Sequence, residues 1–78
     1  MKNIKVLGTG CPKCKRTYAV VEKAIHSCGK EVTLEKVEDI MEIMKYDVMS
    51  TPAIVVDEVV EIRGRVPSET EVIRLLGN

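Results

Sequence analysis

The alternation of apolar and polar positions divides the chain into short segments of two kinds. Residues 3–7 are a short apolar run with β-branched Ile4 and Val6 and with Leu7, closed by Gly8-Thr9-Gly10, and predict a buried strand. From Pro12 to about Ser27 the period changes. Cys14, Tyr18, Val21, Ile25 and Cys28 recur at helical spacing, and Lys13, Lys15, Arg16, Glu22 and Lys23 fall off that stripe, which predicts an amphipathic helix. Gly29 is placed to end it as a left-handed cap. Residues 31–37 predict a second strand with Val32 and Leu34 on one face. Residues 38–46 predict a short helix with Ile40, Ile43 and Met44 as its apolar side. Thr51-Pro52 opens a strand at Ala53-Ile54-Val55-Val56, since proline is tolerated at a first strand position. Asp57-Glu58 then turns the chain into residues 59–62, a hairpin partner. After Arg63-Gly64-Arg65, Pro67-Ser68 opens a last helix. Ser68 and Glu71 are spaced as a capping box, Val72, Leu75 and Leu76 form the inner face, and Gly77 is the stop.

The resulting order is β-α-β-α-β-β-α, an α/β chain. Two strands joined through a helix should be parallel with a right-handed crossover. The expected architecture is therefore a four-stranded mixed sheet flanked by helices. At 78 residues the chain is expected to be one domain spanning 1–78, near the small end of what folds alone. Aromatic content is 3% with no Trp or Phe, so the core must be aliphatic.

The chemistry is concentrated in Cys11-Pro12-Lys13-Cys14. This pair sits between the first strand and the first helix, so Cys11 takes the cap position and Pro12 the first helical position. Residues three apart on a helix are neighbours, close enough for their sulfurs to join without a large backbone movement. Cys11 falls where free backbone N–H groups and the helix dipole favour an anion, a setting that makes a thiol acidic and reactive. The helical stripe shelters Cys14 and leaves Cys11 at the exposed tip.

Charge narrows the range of partners. Twelve basic and twelve acidic residues balance to zero, which argues against nucleic acid or an anionic membrane as a partner. No apolar stretch approaches a membrane-spanning length, and the N-terminal apolar run is too short for a signal peptide. The expected location is cytoplasmic. There a cysteine pair points to catalysis, redox sensing or metal binding rather than to a structural framework, and three cysteines make an odd count for one.

The order of elements, the Cys-Pro-Lys-Cys turn and the approach Tyr46-Asp47-Val48-Met49-Ser50-Thr51-Pro52 to a strand resemble the thioredoxin fold. The compact length is similar to glutaredoxins and to the small redox-active disulfide proteins of prokaryotes. Gly8-Thr9-Gly10 and Gly64-Arg65-Val66-Pro67-Ser68 add to that second likeness. The resemblance implies thiol–disulfide oxidoreductase activity that reduces protein disulfides. Cys11 is then the attacking nucleophile and Cys14 the resolving thiol. Pro12 and Lys13 support the turn, and Pro52 is cis and packed against it. Thr51 offers its backbone to an extended substrate segment. Gly64 and Arg65 are candidate substrate contacts from their place near the reactive end, not from the resemblance. The redox-active disulfide itself replaces any cofactor, and no metal is expected. Partners implied are a disulfide-containing substrate protein and a flavin enzyme like thioredoxin reductase as electron donor, with the chain a monomer. The sequence departs from relatives in several places. No Trp precedes Cys11, and no acidic residue stands in the first strand to serve as the buried proton acceptor that thioredoxins use. The paired glycines and acid with which glutaredoxins hold glutathione have no counterpart around Gly64.

The alternative is a soft-metal carrier using the same two cysteines. A closed zinc site needs four ligands, and Cys28 stands fourteen residues beyond Cys14, roughly 21 Å along a helix. Two-coordinate binding of Cu(I) or Hg(II) stays open on these grounds. Cys28 and Tyr18 are read as core, His26 as surface, and Met41, Met44 and Met49 as core filler or contact surface. Met49, Pro52 and Val66 are read as an exposed apolar patch, and Arg63 and Arg65 otherwise as solvated charges.

Overall fold

The computed structural model describes residues 2–29 and 31–77. Its elements are β1 (Lys2–Leu7), α1 (Pro12–Cys28), β2 (Val32–Val37), α2 (Ile40–Met44), β3 (Ala53–Val56), β4 (Val59–Arg63) and α3 (Glu69–Leu75). The sheet order is β2-β1-β3-β4. β1 and β2 run parallel, with Ile4 opposite Leu34 and Leu7 opposite Val37. β1–β3 and β3–β4 are antiparallel. The mixed α/β sheet is the one that the pattern of the sequence implies.

The period of two along the central strands sorts their side chains onto two faces. Ile4, Val6, Ile54 and Val56 meet Val21 and Ala24 of α1, Val72 of α3 and Leu76 at its C-cap. Leu7, Ala53 and Val55 face the other way, toward Ile43 of α2 and Val48. β3 is buried along its whole length because both faces are covered. β4 would put Val60 and Ile62 on one face, but a bulge intervenes. Val55 pairs with Val60 and Ile54 with Ile62, so Glu61 is the extra residue and the two apolar side chains reach opposite cores.

The turn at Asp57-Glu58 has φ of 48° and 69°, the doubly left-handed form that suits a two-residue hairpin. It forms without Gly or Asn because both side chains are tied down. Asp57 Oδ1 accepts from the Asn3 backbone N–H at 3.0 Å, and Glu58 holds Lys5 and the Tyr46 hydroxyl.

Two local expectations are corrected. The helix expected over 38–46 is only Ile40–Met44, because Asp39 caps it and accepts from Met41 N at 2.9 Å, which leaves Glu38 outside. Its expected apolar side also dissolves. Ile43 is buried, whereas Ile40 is 58% and Met44 63% exposed. A single turn and a half presents too narrow a face to bury three residues. In α3 the capping box is present in full, with Ser68 and Glu71 each bonding the other's backbone N–H.

Candidate active site

The end of β1 delivers the chain to α1 through Gly8, Thr9 and Gly10. Cys11 is the N-cap, in an extended conformation, and Pro12 is the first helical residue. The Cys11 sulfur accepts the Cys14 backbone N–H at 3.2 Å, in the manner of a capping oxygen. The Cys11 carbonyl accepts from Lys15 N at 3.0 Å. Cys11 and Cys14 form a disulfide with Cα atoms 5.1 Å apart. Cys14 is 5% exposed, as the helical stripe predicts, and Cys11 is the more accessible of the two, although half-buried rather than fully exposed at the tip.

Cys14 is sheltered from below by backbone. A Cβ built on Gly8 would lie 2.9 Å from the Cys14 Cβ and collide with its sulfur, and 3.9 Å from the Thr51 Cβ. Gly8 is thus the point where β1, α1 and the Thr51-Pro52 corner converge. Its N–H donates to the Val37 carbonyl at 2.9 Å and prolongs the β1–β2 pairing by one residue. Thr17, fully buried on α1, returns its hydroxyl to the Lys13 carbonyl at 2.9 Å and so enters the core with its polar group satisfied.

The Thr51–Pro52 peptide is cis. Pro52 is fully buried and its carbonyl accepts from Gly64 N at 2.8 Å. Thr51 is exposed beside it. Gly64 has φ of 75°, and a Cβ there would press the Ser50 Cβ at 3.1 Å, so a side chain at this position meets both strain and contact. The other supporting residue, Lys13, is exposed on the first turn of α1.

Arg65 stands next to this corner, with its guanidinium engaged by Glu71 in two bonds of 2.8 and 2.6 Å. That fork draws the Glu71 carboxyl down to about 2, with the Arg65 bonds the main cause and the Ser68 N–H the next. The apolar patch expected from Met49, Pro52 and Val66 is reduced to its first member. Met49 is 98% exposed, Val66 half-buried and Pro52 in the interior.

A narrow cavity of about 10 Å³ opens behind Cys14, lined by Val6, Gly8, Gly10, Lys15, Lys36 and Glu38 as well as the cysteine. Lys36 also reaches over the Tyr18 ring at 4.9 Å. Glu38 and the close approach at Gly8 are site features that the periodicity did not reveal. The sequence pattern places Glu38 in the helix expected over 38–46, and only the later start of α2 at Ile40 frees it to follow Lys36 by two. Cys28 is half-buried against the α1–α3 core with its thiol toward the Ile25 carbonyl, a place among core residues as expected. Among the described residues no group of three or more His, Cys, Asp or Glu is gathered where it could hold a metal ion. No helix among them is long and apolar enough to cross a membrane.

The profile of the family described as "Thioredoxin domain" matches residues 2–77. A thioredoxin of Methanocaldococcus jannaschii is 41% identical over 69 residues, which cover 88% of this chain and 79% of that one. A thioredoxin of Methanothermobacter thermautotrophicus is 29% identical over 76 residues, 97% of this chain and 99% of that one. Among solved structures, thioredoxin-2 of the malaria parasite, described as a component of its protein secretion machinery, superposes with a TM-score of 0.74. It is 20% identical, and the match covers 97% of this chain and 81% of that chain, a likeness of fold.

Proposed function

Since the chain belongs to the thioredoxin family and is a thiol–disulfide oxidoreductase, we propose that it reduces disulfides of other proteins through Cys11 and Cys14. The Cys11 thiolate attacks a substrate disulfide, and one substrate sulfur leaves as thiolate. Cys14 then attacks the Cys11 sulfur, forming the Cys11–Cys14 disulfide and releasing the second substrate sulfur. Two electrons pass from the cysteine pair to the substrate. The observation that carries this reading is the pair's asymmetry. Cys11 is the more accessible of the two, at the helix N-terminus with a backbone N–H on its sulfur, and Cys14 is sheltered one turn on. A helix N-terminus stabilises a thiolate, and cysteines in such pairs have pKa values of about 3.5 to 7.5.

Thr51 offers its backbone to an extended substrate segment; what supports this reading is its exposure beside Gly8, at the corner where the Pro52 carbonyl accepts from Gly64 N. The cysteine pair carries the electrons with no bound cofactor, and a flavin enzyme of the thioredoxin-reductase type returns it to the dithiol. The protein acts as a monomer in the cytoplasm.

The test is insulin reduction with dithiothreitol, together with a trap. Cys11→Ser abolishes turnover, and Cys14→Ser holds substrate proteins on Cys11 as mixed disulfides. The rate of Cys11 alkylation follows a pKa below the ordinary thiol value of about 8.5. Stoichiometric tight binding of Cu(I) or Hg(II) by a chain inactive on insulin would instead establish the metal carrier.

A further inference from the structure

The resolving step demands that a sheltered thiol lose its proton, and the first strand provides no acid for it. We propose that Glu38 is the proton acceptor for Cys14, directly or across one water. This inference rests on the dithiol reading above.

Three charged side chains line the cavity behind Cys14: Lys15 from α1, and Lys36 and Glu38 from the end of β2 and the residues after it. A lysine ammonium has donors and no acceptor, so of the three only the carboxylate can take a proton. The cavity's volume of about 10 Å³ is of the order of a single water. Glu38, although exposed to solvent overall, borders it. Its Oε2 lies 3.4 Å from where a Gly10 Cβ would stand, so the carboxylate reaches across to the loop that carries Cys11. The absence of a side chain at Gly10 leaves that approach open. Register explains the placement. Lys36 pairs with Val6 on the α1 side of the sheet, Gly8 N–H on the Val37 carbonyl extends the pairing, and Glu38 follows two residues after Lys36 on the same side. The cap at Asp39 keeps Glu38 out of α2.

In the step itself, Cys11 is joined to a substrate sulfur. The Cys14 thiol gives its proton to Glu38, and the resulting thiolate attacks the Cys11 sulfur. The Cys11–Cys14 bond forms as the bond from Cys11 to the substrate breaks. The substrate sulfur leaves with the electron pair and takes a proton from solvent, and Glu38 later returns its own to solvent. Lys15 and Lys36, lining the same cavity, are placed to stabilise the Cys14 thiolate as it forms. Cys11 does not titrate at this stage because its sulfur is bonded.

The test measures the lifetime of the mixed disulfide by acid quench and mass spectrometry, using the reduced full chain and a protein disulfide. With Glu38→Gln, resolution at pH 7 slows by about tenfold or more, short of the 10²–10⁴ of an ideally placed base because solvent competes. The deficit closes as pH rises past the ordinary thiol pKa of about 8.5. Glu38→Asp recovers part of the rate, and Glu35→Gln has no effect. An unchanged lifetime in Glu38→Gln, or a slowing equal at every pH, overturns the proposal. If Cys14→Ser also fails to trap substrate, the dithiol reading falls with it. A working trap beside an indifferent Glu38→Gln removes this proposal alone.

Discussion

Gly8 and Cys14 touch so closely that the glycine has no room for a side chain. A Cβ on Gly8 would stand 2.9 Å from the Cys14 Cβ, nearer than side-chain carbons tolerate, and would overlap the sulfur. Both partners are constrained, Gly8 by its N–H on the Val37 carbonyl and Cys14 by the first turn of α1. Gly8→Ala therefore displaces the helix start. Overpacking of this kind costs about 1–3 kcal/mol. Urea unfolding of the oxidised protein should show that loss, and the rate at which Cys14 resolves a mixed disulfide should change with it. A variant with wild-type stability would show that α1 shifts freely.

Glu71 gives a pH dependence with a definite sign. Its folded-state carboxyl is drawn down to about 2 from an ordinary value of 4.5, chiefly by Arg65 and then by the Ser68 N–H. A depressed carboxyl contributes stability that is complete above its unfolded value and is lost as pH falls through the folded one. The urea midpoint of the wild type should therefore decline between about pH 5 and pH 2, and Glu71→Gln should lack that component. The pair is partly solvated, so added salt should weaken the effect.

Apolar content alone does not rank the core. Ile54 of β3 is fully buried in the core beneath α1 and α3, and Met49 is 98% exposed. Ile54→Ala should cost about 2–5 kcal/mol, a large share of the stability of a domain this size. Met49→Ala should lie within about 0.5 kcal/mol of wild type, as surface changes do. Paired denaturation curves test the contrast, and equal losses would place Met49 in the core.

Tyr46 closes a polar knot on the α2 side. Its hydroxyl donates to Glu58 at 2.7 Å and accepts from the Lys5 amine at 2.9 Å, and Lys5 also contacts Glu58. These bonds raise the Lys5 ammonium above its usual range, Tyr46 contributing most. A raised amine stabilises the fold below its unfolded pKa and ceases to do so only as pH climbs through the folded one. The knot should thus persist across the neutral range into alkali. Tyr46→Phe should lower the thermal midpoint by a few degrees, through the loss of two hydrogen bonds at the hairpin turn. An unaltered midpoint would mean that water serves Lys5 and Glu58 equally well.

Most of the secondary structure was legible because it is local physics. The period of two in Ile4-Lys5-Val6, the helical stripe from Cys14 to Cys28 and the Ser68–Glu71 box each act within a few residues. The cysteine pair was legible for the same reason, since its cap position depends only on the residues around it. The short α2 was overextended. Residues 38–46 carry a helical pattern, but Asp39 is the better cap and Ile40 and Met44 find no surface to cover them. The hairpin turn was placed correctly without its usual glycine, because Asn3, Lys5 and Tyr46 secure it from distant parts of the chain.

What the amino-acid order settled alone was the list of elements, their sequence, and which cysteine is the more accessible and which the sheltered one, because capping, turn and periodicity forces reach only a few residues. What needed the tertiary fold was everything that joins residues far apart: Thr51 beside Gly8 and Cys14, Glu38 behind the sheltered sulfur, and Arg65 occupied by Glu71. Those relations follow from the β2-β1-β3-β4 order and from packing at van der Waals distance. Strand register and close contact are properties of the folded chain as a whole, and no short stretch of sequence encodes them.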